Sequence, residues 1–385
     1  MSAQGRLQWD GLLLNLRHHN VPNLLCIHKI TKLEESTMKI RRVGIDLAKN
    51  VFQLHGTDQK GNALWKRKLT RNQWLNTLMD ATDPGCEVGM EACTGAHHWA
   101  RELQARGYTV KLIPPQFVKP YVKSNKNDAK DAEAICEAMS RPTMRYVQVK
   151  QVYQQDIQAA HRIRSEIMSH RKAKANQLRG LVAEYGLVAP KQHAKLRAAV
   201  PDWLEDAQNG LTEFFRRLLH GLWKDLMTLD NRIDEMDKEI ARIAKEDPMA
   251  ERLQQLRGVG PLTATAMVAT IGDGKQFQHG RQMSASLGVT PKQFSSGGKE
   301  RLLGISKRGD VYLRTLLIHG AHSVIVQAKH KDDRLSRWVT ELAARSHTNV
   351  AAVALANKTV RMAWAMMTRE VDYEPTLAAG YSQSN

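Results

Sequence analysis

The stretch Val43-Gly44-Ile45-Asp46-Leu47-Ala48-Lys49-Asn50-Val51-Phe52-Gln53-Leu54-His55 decides how the N-terminal third of the chain is read. Val43–Ala48 and Val51–Thr57 are apolar, partly β-branched runs joined by a short link at Asn50, so both are expected as strands. A third strand, Ala63–Leu69, follows the turn signal Lys60-Gly61-Asn62. Trp74, Leu75 and Leu78 then fall at helical spacing within Arg71–Ala81, and Asp83-Pro84-Gly85 ends that helix. Glu87–Glu91 reads as a fourth strand, a helix runs from Thr94 or Gly95 to Gly107, and Thr109–Ile113 is the fifth strand. Three meandering strands followed by helix, strand, helix and strand predict a mixed sheet with helices on its faces. After Pro114-Pro115 and Pro120, helix resumes over Asp128–Ser140.

Four carboxylates stand out against this frame. Asp46 is the lone acid of the first strand, and Glu91 ends the fourth. Asp128 and Asp131 are three apart at the start of a helix and so share one face. By themselves the last two read as acids favoured by the helix dipole, and Asp46 as an acid at a strand end or a nucleotide-contacting residue. An acid inside an apolar strand is costly unless paired or bound to a cation. The full order of strand Asp, strand-end Glu and helical Asp-x-x-Asp points to a hard divalent metal, Mg²⁺ (or Mn²⁺), held by carboxylate oxygen. Two such ions about 4 Å apart serve phosphodiester chemistry.

From about 150 to 247 the pattern is almost wholly helical, with interruptions expected near Gly186–Pro190 and Pro201–Gly210. Phe214, Leu218, Leu222, Leu226, Leu229, Ile233, Met236, Ile240 and Ile243 form an amphipathic seam suited to a partner helix, as in a coiled coil. Beyond Leu253, Gly-rich turns separate short helices. Leu256-Arg257-Gly258-Val259-Gly260-Pro261 reads as a helix–hairpin–helix turn, in which Gly258 and Gly260 let backbone N–H groups approach a phosphate; the alternative is a plain helix connection. Ser295-Ser296-Gly297-Gly298-Lys299 follows. Alone it reads as a flexible basic loop, and with an activating group its serine could act as a nucleophile. Lys299, Lys307, Arg308 and Arg314 are the expected phosphate contacts.

The chain's balance agrees with a polyanion partner. Its 385 residues hold 57 Lys and Arg against 39 Asp and Glu, a net charge of +18. Residues 141–200 alone hold 12 basic against 3 acidic side chains, with Tyr146, Tyr153 and Tyr185 interspersed as rings that could stack on bases. No apolar run approaches the roughly 20 residues of a membrane span. Cys26, Cys86, Cys93 and Cys136 make no Cys-x-x-Cys pair, which suits a reducing cytoplasm. Met38 opens directly into Lys-Ile-Arg-Arg and the first strand, so residues 1–37 are expected to be a non-native or disordered leader. The expected division is a catalytic domain over 38–148, a helical linker over 149–250, a C-terminal domain over 251–370 and a tail over 371–385.

Taken together, Gly44-Ile45-Asp46-Leu47-Ala48-Lys49, Met90-Glu91-Ala92, Asp128-Ala129-Lys130-Asp131, Gly258-Val259-Gly260, Ser295-Ser296-Gly297-Gly298-Lys299 and Ser306-Lys307-Arg308-Gly309 resemble the DEDD-type transposases of the one-hundred-and-ten family of insertion sequences, with the Piv-type invertases among its relatives. The resemblance spans about Lys39 to Arg369. It implies an α/β plus α architecture: an N-terminal RNase H-like (RuvC-like) domain, a long helical or coiled-coil centre, and a mostly helical C-terminal transposase domain. It assigns the metal-binding tetrad to Asp46, Glu91, Asp128 and Asp131, and a catalytic serine to Ser296, with Ser295 as the second choice. It further implies DNA partners (element ends and target), a structured guide RNA from the element, a homo-oligomer (dimer or tetramer), and a bacterial cytoplasmic, nucleoid-associated setting. Two other readings remain: a RuvC-like junction resolvase hydrolysing DNA with two metals, and a non-catalytic nucleic-acid-binding protein.

Overall fold

The computed structural model describes residues 39–123, 128–295 and 298–374, so the leader, Met38, Ser296, Gly297 and most of the tail lie outside the described residues. Two compact units meet in sequence between Val147 and Gln148.

The first unit is built on a five-stranded sheet of β1 (Arg42–Leu47), β2 (Val51–Thr57), β3 (Ala63–Thr70), β4 (Glu87–Glu91) and β5 (Thr109–Ile113). The strands lie in the order β3-β2-β1-β4-β5, and β2 runs antiparallel to both β1 and β3. The β1–β4 and β4–β5 pairs are parallel. This is the mixed sheet that the strand and helix order predicts. Helices α1 (Trp74–Ala81) and α2 (Ala96–Gln104) pack on one face, where Trp99 meets Phe52 and Trp74 edge to face at 5.7 and 4.9 Å and Phe52 lies tilted against Trp74 at 5.2 Å. Helix α3 (Asp128–Met139) packs on the other face against β1 and β2, burying Ala132, Ile135, Cys136 and Met139.

The second unit is helical. Helices α4 (Val152–Ala183), α5 (His193–Glu205) and α6 (Glu213–Glu246) lead into α7 (Pro248–Leu253), α8 (Pro261–Ile271) and α9 (Gly280–Ser286). A two-stranded hairpin, β6 (Pro291–Gln293) and β7 (Leu302–Ile305), precedes α10 (Val311–Ala328), α11 (Arg334–Arg345) and α12 (Thr348–Arg369). Ion pairs Arg164–Asp237, Arg171–Asp230 and Lys174–Asp225 join α4 to α6 with rising numbers on one helix and falling numbers on the other, so the two helices are antiparallel. No helix among the described residues is long and apolar enough to cross a membrane.

Two local expectations are corrected here. The interruption expected near Pro201–Gly210 falls between Glu205 and Glu213, so Pro201 itself lies inside α5 and does not end it. The seam of α6 also starts one residue off. Phe215 and Leu219 are buried, whereas Phe214 is 65% exposed, because the first turns of α6 face Tyr185, which stacks on Phe215 at 4.4 Å.

Candidate active site

Two glycines set the geometry of the acidic cluster. Gly44 and Gly89 are register partners on β1 and β4, and both face α3. A Cβ on Gly44 would stand 2.2 Å from the Ala132 carbonyl oxygen, and one on Gly89 would stand 2.8 Å from the Met139 sulfur. Neither fits, so the helix lies closer to the sheet than side chains would allow. Two residues further along each strand, on the same face, come Asp46 and Glu91. The first turn of α3 supplies Asp128 and Asp131. One carboxylate oxygen each from Asp46, Asp128 and Asp131 falls within 4.8 Å of the others, Asp128 exposed and the other two half-buried. These three are the one group of this kind among the described residues.

Glu91 is not within that set of three, although its strand is paired beside β1. Cys93 lies close enough to feel both sites: burial pushes its thiol up, and the carboxylates of Glu91 and Asp46 add to the shift. The thiol therefore stays protonated. Below the site, Arg42 and Lys111 both bond Glu87 across β1, β4 and β5 at 3.2 and 2.5 Å. Burial would raise the Glu87 carboxyl, but the hydrogen bond from Lys111 leads the interactions that bring it below its ordinary value. Three oxygen donors on rigid elements, open to solvent on one side, fit a hard divalent cation.

Gly89 lies outside the motifs singled out in the sequence, and Gly44 stands in one without its packing role being legible there. Their signal is the repeated Gly-x-acid of Gly44-Ile45-Asp46 and Gly89-Met90-Glu91, one on each of two neighbouring strands.

In the second unit, the described residues of the serine motif fall between β6 and β7, where Phe294 N–H donates to the Arg301 carbonyl at 2.9 Å. Ser295 and Lys299 are exposed; Ser296 lies outside the described residues. Lys307 and Arg308 are exposed on a tight turn, with Lys307 at φ +55°. The turn is clamped from beneath. Ser306 N–H donates to Thr290 O, Lys307 N–H to Gly288 O, and a Cβ on Gly309 would meet Ser286 O at 1.8 Å. Asp310 caps α10 by accepting from Leu313 N–H at 2.8 Å.

Arg314 is a correction. It is 7% exposed and donates to the carbonyls of Leu287 (3.0 Å) and Arg308 (2.9 Å), so it holds this turn from inside and is not a surface phosphate contact. Gly258, at φ +82°, is filled by helix packing: a Cβ there would lie 2.8 Å from Gly320 O. Gly260 is exposed and caps α8 ahead of Pro261.

The basic stretch is likewise altered by the fold. Arg164, Arg171, Lys174 and Arg197 are paired with Asp237, Asp230 and Asp225 of α6, and Arg179 donates to the carbonyls of Pro190 and Lys191. Tyr185 is stacked in the core and Tyr146 donates to Met139 O, leaving Tyr153 exposed. Arg162, Lys172, Lys191 and Lys195 remain at the surface.

A profile of the DEDD_Tnp_IS110 transposases matches residues 43–187, and one described as the Transposase IS116/IS110/IS902 family matches residues 250–336. A probable family 20 transposase of Pseudomonas aeruginosa is 47% identical over 88% of this chain and all of its own length. The transposase for insertion sequence element IS1111A of Coxiella burnetii is 44% identical over 94% of this chain and 97% of its own. That for IS1328 of Yersinia enterocolitica is 41% identical over 85% and 96%. The DEDD domain implies a ribonuclease-H-like fold and use of a divalent metal, to which the three converging carboxylates conform. The chain belongs to the IS110/IS116/IS902 family of DEDD transposases and is a DNA transposase.

Proposed function

We propose that this transposase cuts and rejoins DNA through two chemical groups, the acidic cluster and the serine of the β6–β7 hairpin. The convergence of Asp46, Asp128 and Asp131 on the α3 face of the sheet carries the reading. These three, with Glu91 beside them, would hold Mg²⁺ or Mn²⁺; bound there, the metal supplies Lewis-acid stabilisation of a phosphoryl oxygen. The Ser296 hydroxyl attacks phosphorus, forming an Oγ–P bond as one bridging P–O bond of the DNA breaks. The serine's proton is given up, and the departing oxygen takes one to leave as a hydroxyl. The reverse step, with a different DNA hydroxyl as attacker, rejoins strands and frees the serine. Lys299, Lys307 and Arg308 hold backbone phosphates, with the exposed turn at Gly260 as a further contact. A structured RNA of the element is the reading for exposed Arg162, Lys172, Lys191 and Lys195, and a homo-oligomer is the working form.

Trapping tests it. A covalent protein–DNA adduct should form and vanish in Ser296→Ala, and Asp46→Asn should cut no strand. Cleavage that survives Ser296→Ala yet fails in Asp46→Asn makes water the nucleophile and overturns the serine.

A further inference from the structure

The outer strand of the sheet carries a charge pattern that neither the cluster nor the hairpin uses. Strand β3 lies at the open edge, and Lys66, Arg67 and Lys68 are all exposed there. From Ala63 to Arg71 the chain holds four cations and no acid. Registers fix where these side chains lie. Asp46 on β1 is opposite Gln53 on β2, and Gln53 is opposite Lys68 on β3. One step back, Gly44 is opposite His55, and His55 is opposite Lys66.

Directly paired residues point to the same face of a sheet. Gly44 faces α3, so His55, Lys66, Gln53 and Lys68 face that side too. The burial of His55 lowers its basicity, and the nearby charge of Lys66 lowers it further, as this register requires. Helix α3 covers the β1 and β2 part of the face and leaves β3 uncovered. Neither Lys66 nor Lys68 pairs with a carboxylate among the described residues. Two strand spacings of about 4.8 Å separate Asp46 from Lys68. That is about 10 Å, the scale that separates neighbouring phosphates of one strand.

We propose that Gln53, Lys66 and Lys68 form a phosphate track that holds the DNA backbone on one side of the phosphate bound at Asp46, Asp128 and Asp131. The track rests on the reading of that cluster as the cleavage site. An exposed lysine row on an edge strand has one other use, which is to keep the edge from pairing with another chain.

Both are decided with the full-length protein and a labelled duplex carrying the element's own end. Lys66→Gln/Lys68→Gln should make the plot of log affinity against log salt shallower by about 1.8, at about 0.9 per lost phosphate contact. Lys66→Arg/Lys68→Arg should keep the original slope. Cleavage by the glutamine variant should fall at low DNA and recover at saturating DNA. An unchanged slope overturns the track, and new self-association in sedimentation with an unchanged slope assigns the lysines to edge protection instead. Asp46→Asn separates the two readings, because it should bind with the original slope and cut nothing. If it still cuts, the cluster reading fails while the slope continues to judge the track.

Discussion

Two charged regions dominate the sequence, and the fold treats them in opposite ways. The acids of the sheet unit are far apart in sequence and are drawn together at the surface. The bases of α4 and α5 are close in sequence and are drawn inward, onto the acids of α6. Three carboxylates converging within 4.8 Å suit a hard cation from outside. A basic helix beside a helix with eight acids of its own finds its counter-charges inside the molecule. Local surroundings, more than charge count, distinguish a charge kept for a ligand from one committed to the fold.

The comparison is broken most directly at Asp46. Asp46→Asn should lower strand cleavage by about a thousandfold or more, since cation binding supplies several kcal/mol at about 1.36 kcal/mol per tenfold. Its thermal midpoint should stay within about 2 °C of the parent chain, because no core cavity opens. Gly44→Ala tests whether the glycine sets the spacing. It should cost about 3 kcal/mol in denaturant unfolding, at the upper end for overpacking, and abolish cleavage with all four acids intact.

In the helical unit the acids carry structural weight. Asp230 is 5% exposed between Arg171 and Arg197, each at 3.0 Å. Asp230→Ala should cost about 3 kcal/mol by leaving two guanidinium groups uncompensated. His161 gives a pH signature. Buried, and near Arg164, it is pushed down to about 4, with its ring bonded to the hydroxyls of Tyr312 and Thr265. Above about pH 6.5 it is neutral in both states and the bonds persist. Below that the unfolded chain binds a proton that the folded site resists, so stability should fall by about 2–3 kcal/mol between pH 6.5 and 4. His161→Gln should remove that slope from paired unfolding curves at the two ends of the window. The smallest change belongs to Asp225, whose pairing with Lys174 is largely in solvent. Asp225→Ala should cost less than about 1 kcal/mol, and a loss as large as that for Asp230 would erase the distinction drawn here.

Much of the sheet unit was legible in the sequence, because period-two apolar runs and Pro or Gly breaks are local signals. Three of the four acids come together as their placement suggested. What was not legible is tertiary. The pairing of Arg164 with Asp237 spans 73 positions, so the basic stretch reads as a binding surface until α6 folds back on it. Arg314 resembles any surface arginine beside Arg308, yet its partners are main-chain carbonyls brought in from Leu287. The register of α6 depends on Tyr185, which no helical periodicity reports. The serine motif reads as a loop because strands of three and four residues are too short to show a period.

The close seat of α3 on Gly44 and Gly89 also sets when the acidic cluster forms during synthesis of the chain. Asp128 follows Asp46 by 82 positions, and every strand of the sheet is made before the ribosome reaches it. A nascent chain ending before Asp128 holds the whole sheet but, of the three converging carboxylates, only Asp46. Docking of one late helix, a contact of high sequence separation, completes it. Chain order thus writes a delay into the cluster itself: a translation product that stops short of Asp131 lacks it, whatever else it has folded.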